Sequence, residues 1–463
     1  MELAEAAGFR RVLMRDARAC LRDGYSQNDK VKSMHLPRLV PVLQHFPSRK
    51  LTDVYAAVRE ELSASQTGGG LPAGARIAIG AGSRGVSNIA TIVRATVAHF
   101  LEIGLKPFVV PAMGSHGGAT AQGQTDVLAH YGITEGVVGC PIVSSMDVVP
   151  LGTTAEGIET YIDRNAFESD GAFLVNRVKW HTTFDAPVES GLLKMAAIGL
   201  GKLQGATNYH RHAVRMGLGE AIRSGGRHVL ASGKILGGLA VLEDAHHDTA
   251  KVAAVTAARL EQEEEQLLAL TRSWMARILF DEVDILMVEE MGKHISGVGM
   301  DSKVINRHPW GGVNPWPWAP RILRIYARGL SPLSYGNAVG IGLADIIAER
   351  LFEKIDWKVT KVNAMAASNL FAVKTPLRAA TDREALEVLS KTVGRADSSE
   401  VTCVWIRNTL ELSHIVASEN LLPAMRGRRD MEVVGPAWEW EFDSAGNLAG
   451  GFDRVAAAIP SSH

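Results

Sequence analysis

The chain has 463 residues, with 49 Lys and Arg against 50 Asp and Glu, and 46% of its residues are hydrophobic. That length exceeds what one hydrophobic core serves, so two domains are expected. A net charge of −1 excludes the broad basic field of a nucleic-acid or anionic-membrane binder.

Cys20, Cys140 and Cys403 are too scattered for a zinc ribbon or a disulfide framework, and read as buried thiols in a reducing compartment. Met1 to Ala7 carries acids where a signal peptide has a basic start, and no apolar run is long enough to span a bilayer. A cytoplasmic protein is expected, with no nucleic-acid or membrane partner.

In chain order, Leu36 to Val42 is too proline-broken for a helix interior. Asp53 to Ser65 has helical periodicity, ended by Thr67-Gly68-Gly69-Gly70. Arg76 to Gly80 reads as a buried strand entering Ala81-Gly82-Ser83-Arg84-Gly85, followed by a helix over Asn88 to Ile103. Lys106 to Pro111 is a second strand, and it delivers Gly114-Ser115-His116-Gly117-Gly118 before a helix starting near Thr120. Strand, glycine corner and helix in repetition mark a parallel sheet, whose ligands sit beyond the carboxyl ends of the strands.

Gly171 to Val175 is a further strand, ending at Asn176 to His181. Asp248 to Leu279 reads as mostly helical, with Glu261 to Gln266 as its solvated face. Val283 to Val288 is a strand entering the glycine-rich Met291 to Asp301, and Asp382 to Thr392 is a helix. The fold expected is α/β: two α/β domains with parallel-type sheets, residues 1–280 and 281–463, and an active-site cleft between them.

Several polar groups stand on these corners. Arg84 follows a glycine-rich turn that could receive an anion or could be an ordinary strand-to-helix turn. His116 and His181 follow neighbouring strand ends, where two imidazoles could flank one substrate for acid/base work on both faces. Lys194 lies in the apolar Gly191 to Gly199, as a desolvated nucleophile or a snorkelling side chain, with Lys202 as a competitor. His210-Arg211-His212 lacks the carboxylate or thiolate partners of a zinc site. His246-His247 reads as exposed. Trp310, Trp316 and Trp318 form a stiff loop, either a wall over a cleft or an interface patch.

Taken together, these segments resemble the nickel-pincer lactate racemase family, through ordered motifs over most of residues 75–215 and more loosely beyond. The resemblance implies a nickel-pincer nucleotide, a pyridinium-3,5-bisthiocarboxylic acid mononucleotide holding nickel, linked covalently through Lys194. By position His210, sixteen residues after Lys194, matches the histidine ligand to nickel. His116 and His181 match the two catalytic histidines, and Arg84 matches the arginine that engages substrate. Lys303 is the further candidate for a substrate contact.

There are departures. Ala81 stands where the family carries an acid, Gly117 stands where an arginine often follows the first histidine, and the loop from His181 to Lys194 is longer. They favour a 2-hydroxy acid other than lactate. The activity implied is a racemase or epimerase that inverts C2 by hydride transfer, which avoids the dianion that proton abstraction beside a carboxylate requires. Its partners are then a small 2-hydroxy acid and the cofactor-synthesis enzymes; the sequence sets neither the acid nor the oligomeric state. The rivals are a cofactor-free lyase or proton-transfer enzyme on a hydroxy acid, and a non-catalytic small-carboxylate-binding protein.

Overall fold

The computed structural model describes residues 34–82 and 85–453. Its local elements follow from local sequence. Asp53 caps the helix Val54–Ala64, its carboxylate accepting from the Ala56 amide at 2.9 Å. The next helix is Ile89–Glu102, and Thr120 caps Ala121–His130 through its Oγ1, 3.0 Å from the Gly123 amide.

A smaller sheet contains β2 (Arg76–Ala81), β3 (Lys106–Pro111), β6 (Gly171–Arg177), β7 (Ile235–Glu243) and β8 (Thr249–Thr256), where β1 (Leu39–Gln44) lies elsewhere and β4 (Val148–Thr153) and β5 (Glu159–Asp163) form a separate ribbon. The order is β3-β2-β6-β7-β8, parallel except for the antiparallel pair β7 and β8. Asp248 to Leu279 is therefore helical only in its second part. The alternating Thr249–Thr256 makes an edge strand, and the helix is confined to Leu260–Trp274.

The larger sheet contains β9 (Glu282–Val288), β10 (Arg321–Ala327), β11 (Ile346–Ala348), β12 (Leu377–Ala379), β13 (Cys403–Ile406), β14 (His414–Ser418) and β15 (Met431–Val433), together with β1. Its order is β12-β11-β10-β9-β13-β14-β1-β15, parallel from β12 to β13 and antiparallel from there on. The fold is thus α/β with two sheet systems, mostly parallel, each ending in antiparallel strands. The proline-broken run before residue 45 serves the second sheet and not the first.

Each sheet reverses its winding once. From β2 the chain moves outward to β3, then crosses to β6 on the other side of β2. In the larger sheet it moves from β9 through β10 and β11 to β12, then returns to β13 on the far side of β9. Such reversals leave a gap between diverging loops at the carboxyl ends, where α/β sheets bind ligands. Buried Val, Ile and Leu from both faces of each sheet hold these ends in place; Ile77, Ile79 and Val283 are fully buried. Cys140 and Cys403 are buried free thiols, while Cys20 lies outside the described residues. Among the described residues no helix is long and apolar enough to cross a membrane.

Candidate active site

The loops leaving the two reversals meet around His181. β6 runs out through Arg177, Lys179 and Trp180 to His181, and an antiparallel bridge between Lys179 and Ser190 closes the loop that follows. From the larger sheet, the segment after β9 reaches the same loop with three consecutive residues. Asp301 Oδ2 accepts from Trp180 Nε1 at 3.0 Å, Ser302 Oγ donates to the Thr182 carbonyl, and Lys303 Nζ lies 2.7 and 2.8 Å from the two oxygens of Glu189. His181 therefore sits between two residues gripped by the other sheet system.

The His181 ring is half-buried and stacks on Phe184, with centroids 4.5 Å apart. Its Nδ1 accepts from the Thr183 amide at 3.1 Å and lies 2.9 Å from Thr183 Oγ1. A backbone amide can only donate, so in the neutral ring the proton is on Nε2. Burial, followed by the charges of Lys194, Lys303, His210 and Lys293, holds its pKa well below 6.5.

Lys194 ends a short helical turn, Leu192–Lys194, and a π-helical turn, Met195–Gly199, follows directly. Widened turns of this kind place a side chain off the regular helical spacing and recur at functional sites. Two contacts anchor the turn. Asn176 Nδ2 donates to the Gly191 carbonyl at 2.9 Å, and the buried Glu264 accepts from the Leu193 amide at 2.9 Å. Gly191 lacks the side chain that would overlap the Glu264 carboxylate. Glu264 is the fully buried exception in what reads as a solvated face, because its position on the helix Leu260–Trp274 points at the Lys194 turn.

His210 lies on the helix Lys202–Met216, half-buried; burial and then the Lys194 charge lower its pKa. Its neutral imidazole is the form that binds a metal. Among the described residues no three or more His, Cys, Asp or Glu are grouped to hold a metal. Lys202 is not a competitor of Lys194. It is fully buried, 3.1 Å from Asp163 and 2.6 Å from the Pro111 carbonyl, and locks the helix start to β3.

His116 leaves β3 on the next corner, half-buried, and immediately precedes the short turn Gly117–Ala119. A Cβ at Gly117 would overlap the Gly123 backbone, and Gly117 has φ +63, so glycine alone lets this loop fold back on its helix. Arg84 lies outside the described residues, as does Ser83. The Lys303 ammonium is buried with Glu189 and lies 5.8 Å from the Trp316 ring. Trp316 is buried while Trp310 and Trp318 are each 44% exposed, and Trp318 packs against Trp180. His246 is exposed, whereas His247 is half-buried with Nε2 3.3 Å from the Leu410 carbonyl.

Glu189, Arg272 and Glu264 carry no spacing signal in the sequence. Glu189 lies 114 residues from Lys303, and only the fold joins them.

No family model matches the chain, and no curated protein matches it. Among solved structures the chain is similar to the lactate racemase apoprotein from Thermoanaerobacterium thermosaccharolyticum, at 13% identity and a TM-score of 0.46, over 81% of this chain and 99% of that one.

Proposed function

We propose that the protein is a racemase or epimerase of a 2-hydroxy acid that works with a nickel-pincer nucleotide linked through Lys194. One observation carries the reading. Lys194, His210 and His181 stand on three separate segments, yet both rings are held toward the neutral form by burial and then by the charge of the same lysine, Lys194. A tether, a neutral imidazole ligand and a neutral acid/base ring in one neighbourhood form the set that such a cofactor and its reaction need.

The residues fit the group. Lys194 offers an amine for a thioamide link, and His210 offers one nitrogen donor to a metal whose remaining donors come with the organic group. When bound, the cofactor supplies an acceptor for the α-hydrogen as hydride. The chain's own residues do the rest. Arg84 takes the substrate carboxylate, and His116 and His181 exchange the hydroxyl proton from opposite faces. With Thr183 donating to Nδ1, His181 presents Nε2–H to the substrate oxygen. We place the substrate in a cleft between the two sheet systems, because the loops of both reversals converge there.

The test uses C2-deuterated 2-hydroxy acids with protein co-produced with the cofactor-synthesis enzymes. Hydride transfer predicts an inverted product that keeps its deuterium. Washout to solvent instead supports the cofactor-free proton-transfer enzyme, and binding without inversion supports the carboxylate-binding protein.

A further inference from the structure

A buried carboxylate inside the His181 loop has no part in the chemistry so far. Glu189 is fully buried, and its oxygens collect donors from three elements. Within its own loop it accepts from the His181 amide. From the larger sheet system comes Lys303, itself fully buried, with Nζ 2.7 and 2.8 Å from the two oxygens. From the end of the helix Leu260–Trp274 comes Arg272, which also reaches Asp185, 2.6 Å away. The buried Trp316 lies over the Lys303 ammonium, its ring centroid 5.8 Å from Nζ.

We infer that Lys303 and Glu189 are positioning residues for His181: Lys303 holds the Glu189 carboxylate ionised, and Glu189 fixes the His181 main chain. The inference rests on the reading of His181 as an acid/base residue, and it gives Lys303 a task other than contact with substrate. The physical case is direct. An isolated buried carboxylate protonates or leaves its site, and here burial does push the Glu189 pKa upward against the pull of Lys303. With the ammonium in place the carboxylate stays charged, and a charged acceptor makes a stronger bond to the His181 amide than a neutral one. The same three-residue segment secures the flanking residues, through Asp301 to Trp180 and Ser302 to Thr182. His181 is thus set in place by the meeting of the two sheet systems and not by its own sheet alone.

Two readouts test this, one of which needs neither cofactor nor substrate. Hydrogen–deuterium exchange over residues 178–190 is compared in wild type, Lys303→Met and Lys303→Arg. Faster exchange confined to that peptide in the Met variant, with slow exchange restored in the Arg variant, is expected. In the loaded enzyme the Met variant is expected to lose kcat by on the order of 100-fold at nearly constant KM, the scale of a displaced catalytic group. Unchanged exchange with a raised KM and an intact kcat would overturn the inference and make Lys303 a substrate contact.

If the Met variant does not fold, Ser302→Ala serves, since it removes only the bond to the Thr182 carbonyl. It should speed exchange in the same peptide, and unchanged exchange there overturns the coupling. Failure of the catalytic reading shows separately: His181→Gln would then retain activity whatever the exchange result.

Discussion

At the scale of single residues, the site is an exercise in keeping imidazoles neutral. His181 and His210 are both pushed toward the neutral form, by burial first and by neighbouring cationic charge after it. Neutral rings are what ligation and proton exchange require near pH 7. The sign follows from burial, the largest cause and one that persists when Lys194 is an uncharged thioamide: His181 stays unprotonated as pH falls through 6.5, so kcat/KM should hold there and decline only at lower pH. A pH–rate profile checks this, and an acid limb centred on or above 6.5 would contradict it. His116, His181, Lys194 and His210 can be proposed from the sequence because histidine and lysine stand out on glycine corners and in an apolar run. Glu189, Arg272 and Glu264 cannot be, since acids and arginines in a charged helix or loop have the same local appearance whether solvated or buried.

The elements that place these residues were legible where local forces decide. Asp53 and Thr120 cap helices as their side chains require, and Lys106–Pro111 is the strand its apolar run describes. Sequence reasoning failed at Thr249–Thr256, where the preceding strand β7 recruits a neighbouring segment as an antiparallel edge. It failed again at Glu264, where tertiary packing turns one position of an acidic helix inward. That position makes a prediction. Burial raises the Glu264 pKa from 4.5 to about 7, against the pull of the Leu193 and Leu192 amides. A carboxyl with a raised folded-state pKa contributes stability that is complete below its unfolded value and is lost as pH rises through the folded one. Wild type should therefore lose stability between pH 4.5 and about 7, by on the order of 3 kcal/mol at most. Glu264→Gln should keep the acceptor for the Leu193 amide and lose that pH dependence. Unfolding midpoints at pH 5 and pH 8 check it: parallel behaviour of the two proteins would mean that Glu264 does not titrate in this window.

Across the whole molecule, two sheets with one winding reversal each bring their loops to the same place. The sequence announces the first reversal through its glycine corners. The second stays hidden, because the long segment from β9 to β10 has no regular helix to mark a crossover. Nor does local pattern show that β1 crosses to the larger sheet, since pairing between residues 39–44 and 414–418 is a property of the assembled fold. In the function proposed, this meeting place holds a pincer nucleotide on Lys194 with His210 at its metal. The most direct test is peptide mass spectrometry with nickel analysis on protein co-produced with the cofactor-synthesis enzymes, beside Lys194→Ala and His210→Ala. A sulfur-containing adduct on the Lys194 peptide with bound nickel is expected, with no adduct in Lys194→Ala and loss of nickel in His210→Ala. An unmodified Lys194 and no nickel in the wild type would contradict it.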